Sequence, residues 1–156
     1  MFKSNPQNPR PYLAEPGWPA ESPAGAVATS RKCGVLVVDD QMCLRHLLGI
    51  GLRQQGFAVW LAASGREALD VYQGHHETID VVLMDVCMPG LDGPETLAAL
   101  QELNPQVRCC FLSGSLDSGS AEELQNLGAA AVLQKPIHLA EVARVLGEQA
   151  RRSPWT

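Results

Sequence analysis

A chain of 156 residues, 46% hydrophobic and 19% charged, has enough apolar material for one compact domain with its own core. Its net charge of -5 argues against nonspecific nucleic-acid binding, which needs a basic face. No apolar run approaches the ~20 residues that cross a bilayer, and Lys3 is not followed by the continuous apolar stretch of a signal peptide, so a cytoplasmic protein without membrane contact is predicted.

Residues 1 to about 31 carry Pro6, Pro9, Pro11, Pro16, Pro19 and Pro23 with little apolar periodicity. Such a segment buries too little surface to offset its ordering entropy and reads as a disordered, Pro-rich N-terminal leader. Strands and helices then alternate over a domain spanning 32–150. The first strand is expected near 34–39 and the first helix near 41–55, with Leu44, Leu48 and Leu52 on an apolar face. Gly56 ends it. A second strand near 57–62 leads to a helix near 64–73, opened by Ser64 with Glu67 at capping-box spacing and burying Ala68, Leu69 and Tyr72. The third strand is expected near 79–84 and the third helix near 93–103, with Pro94 in its first turn and a stripe of Leu97, Leu100 and Leu103. Val107–Leu112 is the fourth strand, 120–127 the fourth helix, 130–134 the fifth strand and 138–150 the fifth helix. Residues 151–156 form a short tail.

Five βα units with right-handed crossovers predict an α/β fold. It is a flavodoxin-like, doubly wound, five-stranded parallel sheet of order 2-1-3-4-5 with five helices. Ligands of such sheets bind outside the carboxyl ends of the strands, at the switch point. Asp39-Asp40, Asp85 and Lys135-Pro136 each follow an apolar run, so three carboxylates and one ammonium converge on one sheet edge. Carboxylates about 4 Å apart repel by roughly 4 kcal/mol per pair near a surface. A small hard cation offsets that repulsion, and Mg²⁺ typically takes one or two carboxylates with water and phosphate oxygens.

The bland readings are a solvated loop or helix cap at Asp40, a turn at Ser113 and a surface lysine at Lys135. They weaken because these residues fall at matching strand ends. An Asp can be a nucleophile toward phosphorus, and phosphoryl transfer asks mainly for positioning and charge neutralisation. Cys33, Cys43, Cys87, Cys109 and Cys110 lack a paired C-x-x-C pattern and read as reduced, buried small hydrophobes. Cys109 and Cys110, adjacent on a strand, should face opposite ways.

V-L-V-V-D-D at 35–40, D-V-x-M-P-G-x-D-G at 85–93, L-S-G at 112–114, Gly128-Ala129 and K-P at 135–136 together resemble the response-regulator receiver domain of two-component signalling, over about 33–150. The resemblance implies that Asp85 is the phosphoacceptor, Asp40 a direct Mg²⁺ ligand and Asp39 an acid acting on the metal through water. It makes the backbone carbonyl of Cys87 a further ligand, with Ser113 and Lys135 engaging the phosphoryl group. It also implies a cis Lys135–Pro136 bond, a histidine kinase or histidine phosphotransfer protein as donor, and an unknown protein target. The helix-four, strand-five, helix-five face would be a dimerisation surface. The protein would not be an enzyme beyond slow self-dephosphorylation.

Two features temper the resemblance. The family usually carries Tyr or Phe three residues before the lysine, a ring that turns inward on activation, and this chain has Val132 there. Half of the usual switch is therefore missing, while Ser113, the other half, is present. No output domain is visible. The alternatives are a phosphorylation-independent binding module of the same fold and, more remotely, a haloacid-dehalogenase-type phosphatase. The phosphatase reading lacks its D-x-D pair, since Cys87 stands two residues after Asp85. His46, His75, His76 and His138 fall in no kinase or phosphotransfer motif.

Overall fold

The computed structural model of the chain describes residues 31–115 and 118–152. Residues 1–30 of the expected leader and 153–156 of the expected tail lie outside the described residues. From Lys32 on, the described residues belong to one compact unit.

Its elements alternate strictly: β1 (Gly34–Val38), α1 (Met42–Gln54), β2 (Ala58–Ala62), α2 (Gly65–His75), β3 (Val81–Asp85), α3 (Gly93–Leu103), β4 (Cys109–Ser113), α4 (Ser118–Asn126), β5 (Ala131–Gln134) and α5 (Leu139–Arg151). The strands pair in parallel in the order β2-β1-β3-β4-β5, the expected doubly wound topology.

Every residue of β1, β3 and β4 is buried, as a sheet covered on both faces requires. Successive side chains alternate between two cores. Val35, Val37, Leu83, Cys110 and Leu112 face Leu48 and Leu52 of α1 and Val142, Val145 and Leu146 of α5. Leu36, Val38, Met84, Cys109 and Phe111 face Ala68 and Tyr72 of α2, Leu97 and Leu100 of α3 and Leu124 of α4. Cys109 and Cys110 thus part to opposite faces, and burial pushes the Cys110 thiol up to about 12. The reading of all five cysteines as buried fails at Cys43 and Cys87, which are exposed. The apolar stripe of α3 is shorter than expected too, since Leu103 is exposed and Thr96 is buried instead.

Helix ends explain several boundaries. Ser64 caps α2 by accepting from Glu67 N at 3.1 Å, but the Glu67 carboxylate returns to Ala63 N rather than to Ser64. A complete capping box sits at α3, where Asp92 accepts from Glu95 N at 2.8 Å and Glu95 from Asp92 N at 2.9 Å. Helix α1 follows Gln41 as its N-cap, whose side chain makes no capping bond. At the far end of α4, Leu127 O accepts from Gln101 Nε2 of α3 at 3.0 Å, and Gly128 turns the chain with φ 105°.

Candidate functional site

The parallel register brings the site together. Val38 pairs with Met84, so Asp39 and Asp85 lie level as the next residues of β1 and β3. Asp85 pairs with Leu112, and Ser113 with Gln134, so Ser113 and Lys135 stand one and two residues farther out on β4 and β5. Asp85 is the last residue of its strand rather than the first beyond it, because the ladder to β4 continues through it.

Asp39 is fully buried. Its Oδ1 accepts from Gln41 N at 2.8 Å, an Asx-type turn, and its backbone carbonyl accepts from Arg45 Nη1 at 2.8 Å. Its Oδ2 is buried without a hydrogen-bond donor and lies 3.9 Å from Lys135 Nζ. Burial raises the Asp39 carboxyl above its ordinary range. The Gln41 N–H opposes that, the Asp85 charge adds to it, Lys135 opposes it, and Asp40 adds a little more. Asp40 itself is exposed on the rim.

Asp85 Oδ1 lies 3.5 Å from Lys135 Nζ and accepts a long bond from Cys87 N at 3.4 Å. The loop after it is tied at both ends. Val86 N donates to Leu112 O at 3.1 Å, and Gly93 N donates to Val86 O at 2.8 Å. Gly93 allows that closure, since a Cβ there would lie 2.7 Å from the Asp85 carbonyl oxygen and 2.8 Å from Phe111 Cε1. Gly90 has φ 74°, so the turn needs glycine there as well.

On the other side, Ser113 Oγ donates to Ser115 O at 2.9 Å and accepts from Ser115 N at 3.3 Å. Its hydroxyl is engaged with its own loop. Lys135 N donates to Ser113 O at 2.8 Å, extending the β4–β5 pairing past Gln134. The Lys135–Pro136 bond is cis, as expected. Val132 is half-buried against the α2–α3–α4 core and does not line the cleft.

Asp40, Asp85, Cys87, Ser113 and Lys135 open into one cleft of about 560 Å³, walled by Leu124 and Leu127 of α4. Asp39, Asp40 and Asp85 offer carboxylate oxygens within 4.8 Å of one another. Three carboxylates and one ammonium leave a formal charge of -2 in the cleft. Sequence reasoning missed Arg45. Its signal was its place one turn into α1, with no acid in the first turn of that helix to pair with it.

A doubly wound sheet that gathers these groups at its switch point defines a class of α/β domains that handle ligands beyond their strand ends. Within it, the chain belongs to the response regulator receiver domain family, whose profile matches residues 35–146. It is a receiver domain of two-component systems. It is 32% identical over 108 residues to sporulation initiation phosphotransferase F of Bacillus subtilis, covering 69% of this chain and 86% of that protein. It is 32% identical over 127 residues to the sensor kinase CckA of Brucella abortus, covering 81% of this chain but only 13% of that protein. Among solved structures, the CheY of a CheX–CheY–BeF₃–Mg²⁺ complex from Borrelia burgdorferi superposes with a TM-score of 0.71 at 28% identity, over 74% of this chain and 87% of that one.

Receiver domains are phosphoacceptor signalling modules that bind Mg²⁺ at an acidic pocket. The donor set here fits that ion: oxygen ligands only, a local charge of -2, and a buried carboxylate oxygen on Asp39 with no hydrogen-bond donor. No helix among the described residues is long and apolar enough to cross a membrane.

Proposed function

We propose that this chain accepts a phosphoryl group on Asp85 from a phosphohistidine of a kinase or phosphotransfer protein, and that the phosphorylated form binds a protein target differently. The observation that carries this reading is the Asp85 carboxylate, held beside two further acids and 3.5 Å from Lys135 Nζ. An Asp85 carboxylate oxygen attacks phosphorus, the P–N bond to the donor imidazole breaks, and that nitrogen keeps the electron pair. Asp40, Asp85 and the Cys87 carbonyl would hold Mg²⁺, with Asp39 acting through water. When bound, the ion would neutralise charge on the phosphoryl oxygens. Lys135 would neutralise another oxygen as a point charge, and Ser113 would release Ser115 to donate to a third.

The exposed Met42, Leu47 and Ile50 of α1 give a donor protein an apolar surface on the helix that begins at the cleft. A small share of the length of the sensor kinase relative, and most of that of the phosphotransferase relative, is spanned by this chain. A self-standing phosphotransfer role and a role inside a larger signalling protein both agree with that.

The test is labelling with acetyl phosphate and Mg²⁺. The adduct should form on Asp85, be labile to base and hydroxylamine, and be lost in Asp85→Asn. Labelling of Asp85→Asn at the wild-type level would overturn the assignment. Target binding that is the same with and without the adduct would favour a phosphorylation-independent module, the reading to which Val132 lends some support.

A further inference from the structure

Asp39 and Asp40 are joined by one peptide plane, and the carbonyl of Asp39 is its oxygen. Holding that plane and the next one, whose Gln41 N–H donates to Asp39 Oδ1 at 2.8 Å, sets φ and ψ of Asp40 and with them the direction in which its side chain leaves the backbone. Arg45 Nη1 donates to this carbonyl at 2.8 Å from one turn along α1. The Arg45 N–H in turn bonds Gln41 O at 3.0 Å, so the residue holding the plane is seated on the helix that the plane leads into.

The turn needs such a hold. Helix α1 has no side-chain cap at Gln41, and Asp40 is exposed. The Asp39 side chain secures the turn from one side through Gln41 N, and Arg45 secures it from the other. Arg45 is half-buried and makes no ion pair among the described residues. The guanidinium acts on the geometry of the turn through the Asp39 carbonyl.

We infer that Arg45 is a positioning residue for the carboxylate cluster, presetting Asp40 to receive a divalent cation by clamping the 39–40 peptide. The inference rests on the cation-assisted reading of the cleft given above. Calorimetric titration of the purified protein with Mg²⁺ tests it. Arg45→Met keeps the aliphatic stem and removes the donors; its Mg²⁺ dissociation constant should rise roughly three- to tenfold, the scale of one ordinary hydrogen bond. Arg45→Lys, with a single compact donor, should fall between it and wild type. In an Asp40→Ala background, Arg45→Met should add nothing, because its effect runs through Asp40.

Thermal unfolding without metal gives the contrast. A lowered midpoint with an unchanged dissociation constant would make Arg45 merely structural and overturn the inference, as would full additivity with Asp40→Ala. Absence of Mg²⁺ binding by wild type would instead overturn the cation-assisted reading itself. Should Arg45→Met fail to fold, Arg45→Gln supplies the same comparison.

Discussion

The two halves of the cleft are built differently. On the β1–β3 side, the two buried acids are tied down: Asp39 to Gln41 N and, through its carbonyl, to Arg45, and Asp85 to Cys87 N. The loop after Asp85 is closed by Gly93 and by the Asp92–Glu95 capping box. On the β4–β5 side, among the described residues the Ser113 hydroxyl bonds Ser115 of its own loop, and Val132 stands where the family resemblance led a ring to be expected. One half is organised before any ligand arrives, and the other has bonds to exchange. Holding a cation and nucleophile calls for pre-organisation, whereas reporting a new phosphoryl group calls for an element with two arrangements.

Lys135 spans both halves, so its loss should have the largest effect. Lys135→Ala should slow phosphorylation by acetyl phosphate about 100-fold, the scale of removing one preorganised charge from a developing anion. Mg²⁺ binding should persist or tighten, because the acids lose a competing cation. A parallel loss of metal affinity would erase the proposed division of labour between the ammonium and the carboxylates.

Within the acid half, Asp40→Ala should weaken Mg²⁺ binding by about tenfold or more, since it removes a direct oxygen ligand and part of the attracting charge. Asp39→Ala should weaken it less, as expected of an acid acting through water. Equal titration curves for Asp40→Ala and wild type would contradict the pocket.

A smaller effect concerns pH. The Asp39 carboxyl is raised by burial above its ordinary 3.8, so its charged form works against the fold. The stability this group contributes is present below pH 3.8 and lost as pH rises through the folded-state value. Without Mg²⁺, Asp39→Asn should therefore melt higher than wild type at neutral pH, by about 4 °C per 1 kcal/mol relieved. The advantage should vanish in acid. A lower midpoint for Asp39→Asn at pH 7 would mean that the pairing with Lys135 outweighs the burial.

The smallest response is expected in β5. With beryllofluoride and Mg²⁺, hydrogen exchange should change at Ser113–Ser115 and in α4, and little at Ala131–Gln134, because Val132 has no ring to relocate. Changes in β5 as large as those in α4 would show that the aromatic position is dispensable for spreading the signal.

The topology and the acid–lysine constellation were legible in the sequence because both follow from apolar runs and what ends them. The boundaries were less so, since hydrogen bonds set them. Strand β3 begins at Val81, two residues later than hydrophobicity suggested. Asp80 spends its carboxylate on Gly34 N at 2.8 Å and its own N–H on Gly34 O at 2.8 Å. Asp92 was read only as part of a motif, although Glu95 three residues on completes a cap that the motif's spacing obscured. Helix α4 begins at Ser118 rather than at 120, within a Ser/Gly-rich stretch that carries no apolar period. Arg45 was harder to read: the lack of an acid in the first turn of α1 marked it as unpaired in sequence, but its partner is a backbone oxygen, which that signal does not name.

The bond from Gln101 to Leu127 O has a mechanical consequence. Helix α4 has nine residues and is about 13 Å long. Pinned near Leu127, it would swing as a door does on its jamb. Ser120 and Glu123, which line the cleft, lie farther from that bond than Asn126 does. For any given rotation, a probe at Ser120 would travel farther than one at Asn126, in proportion to their distances from the pin.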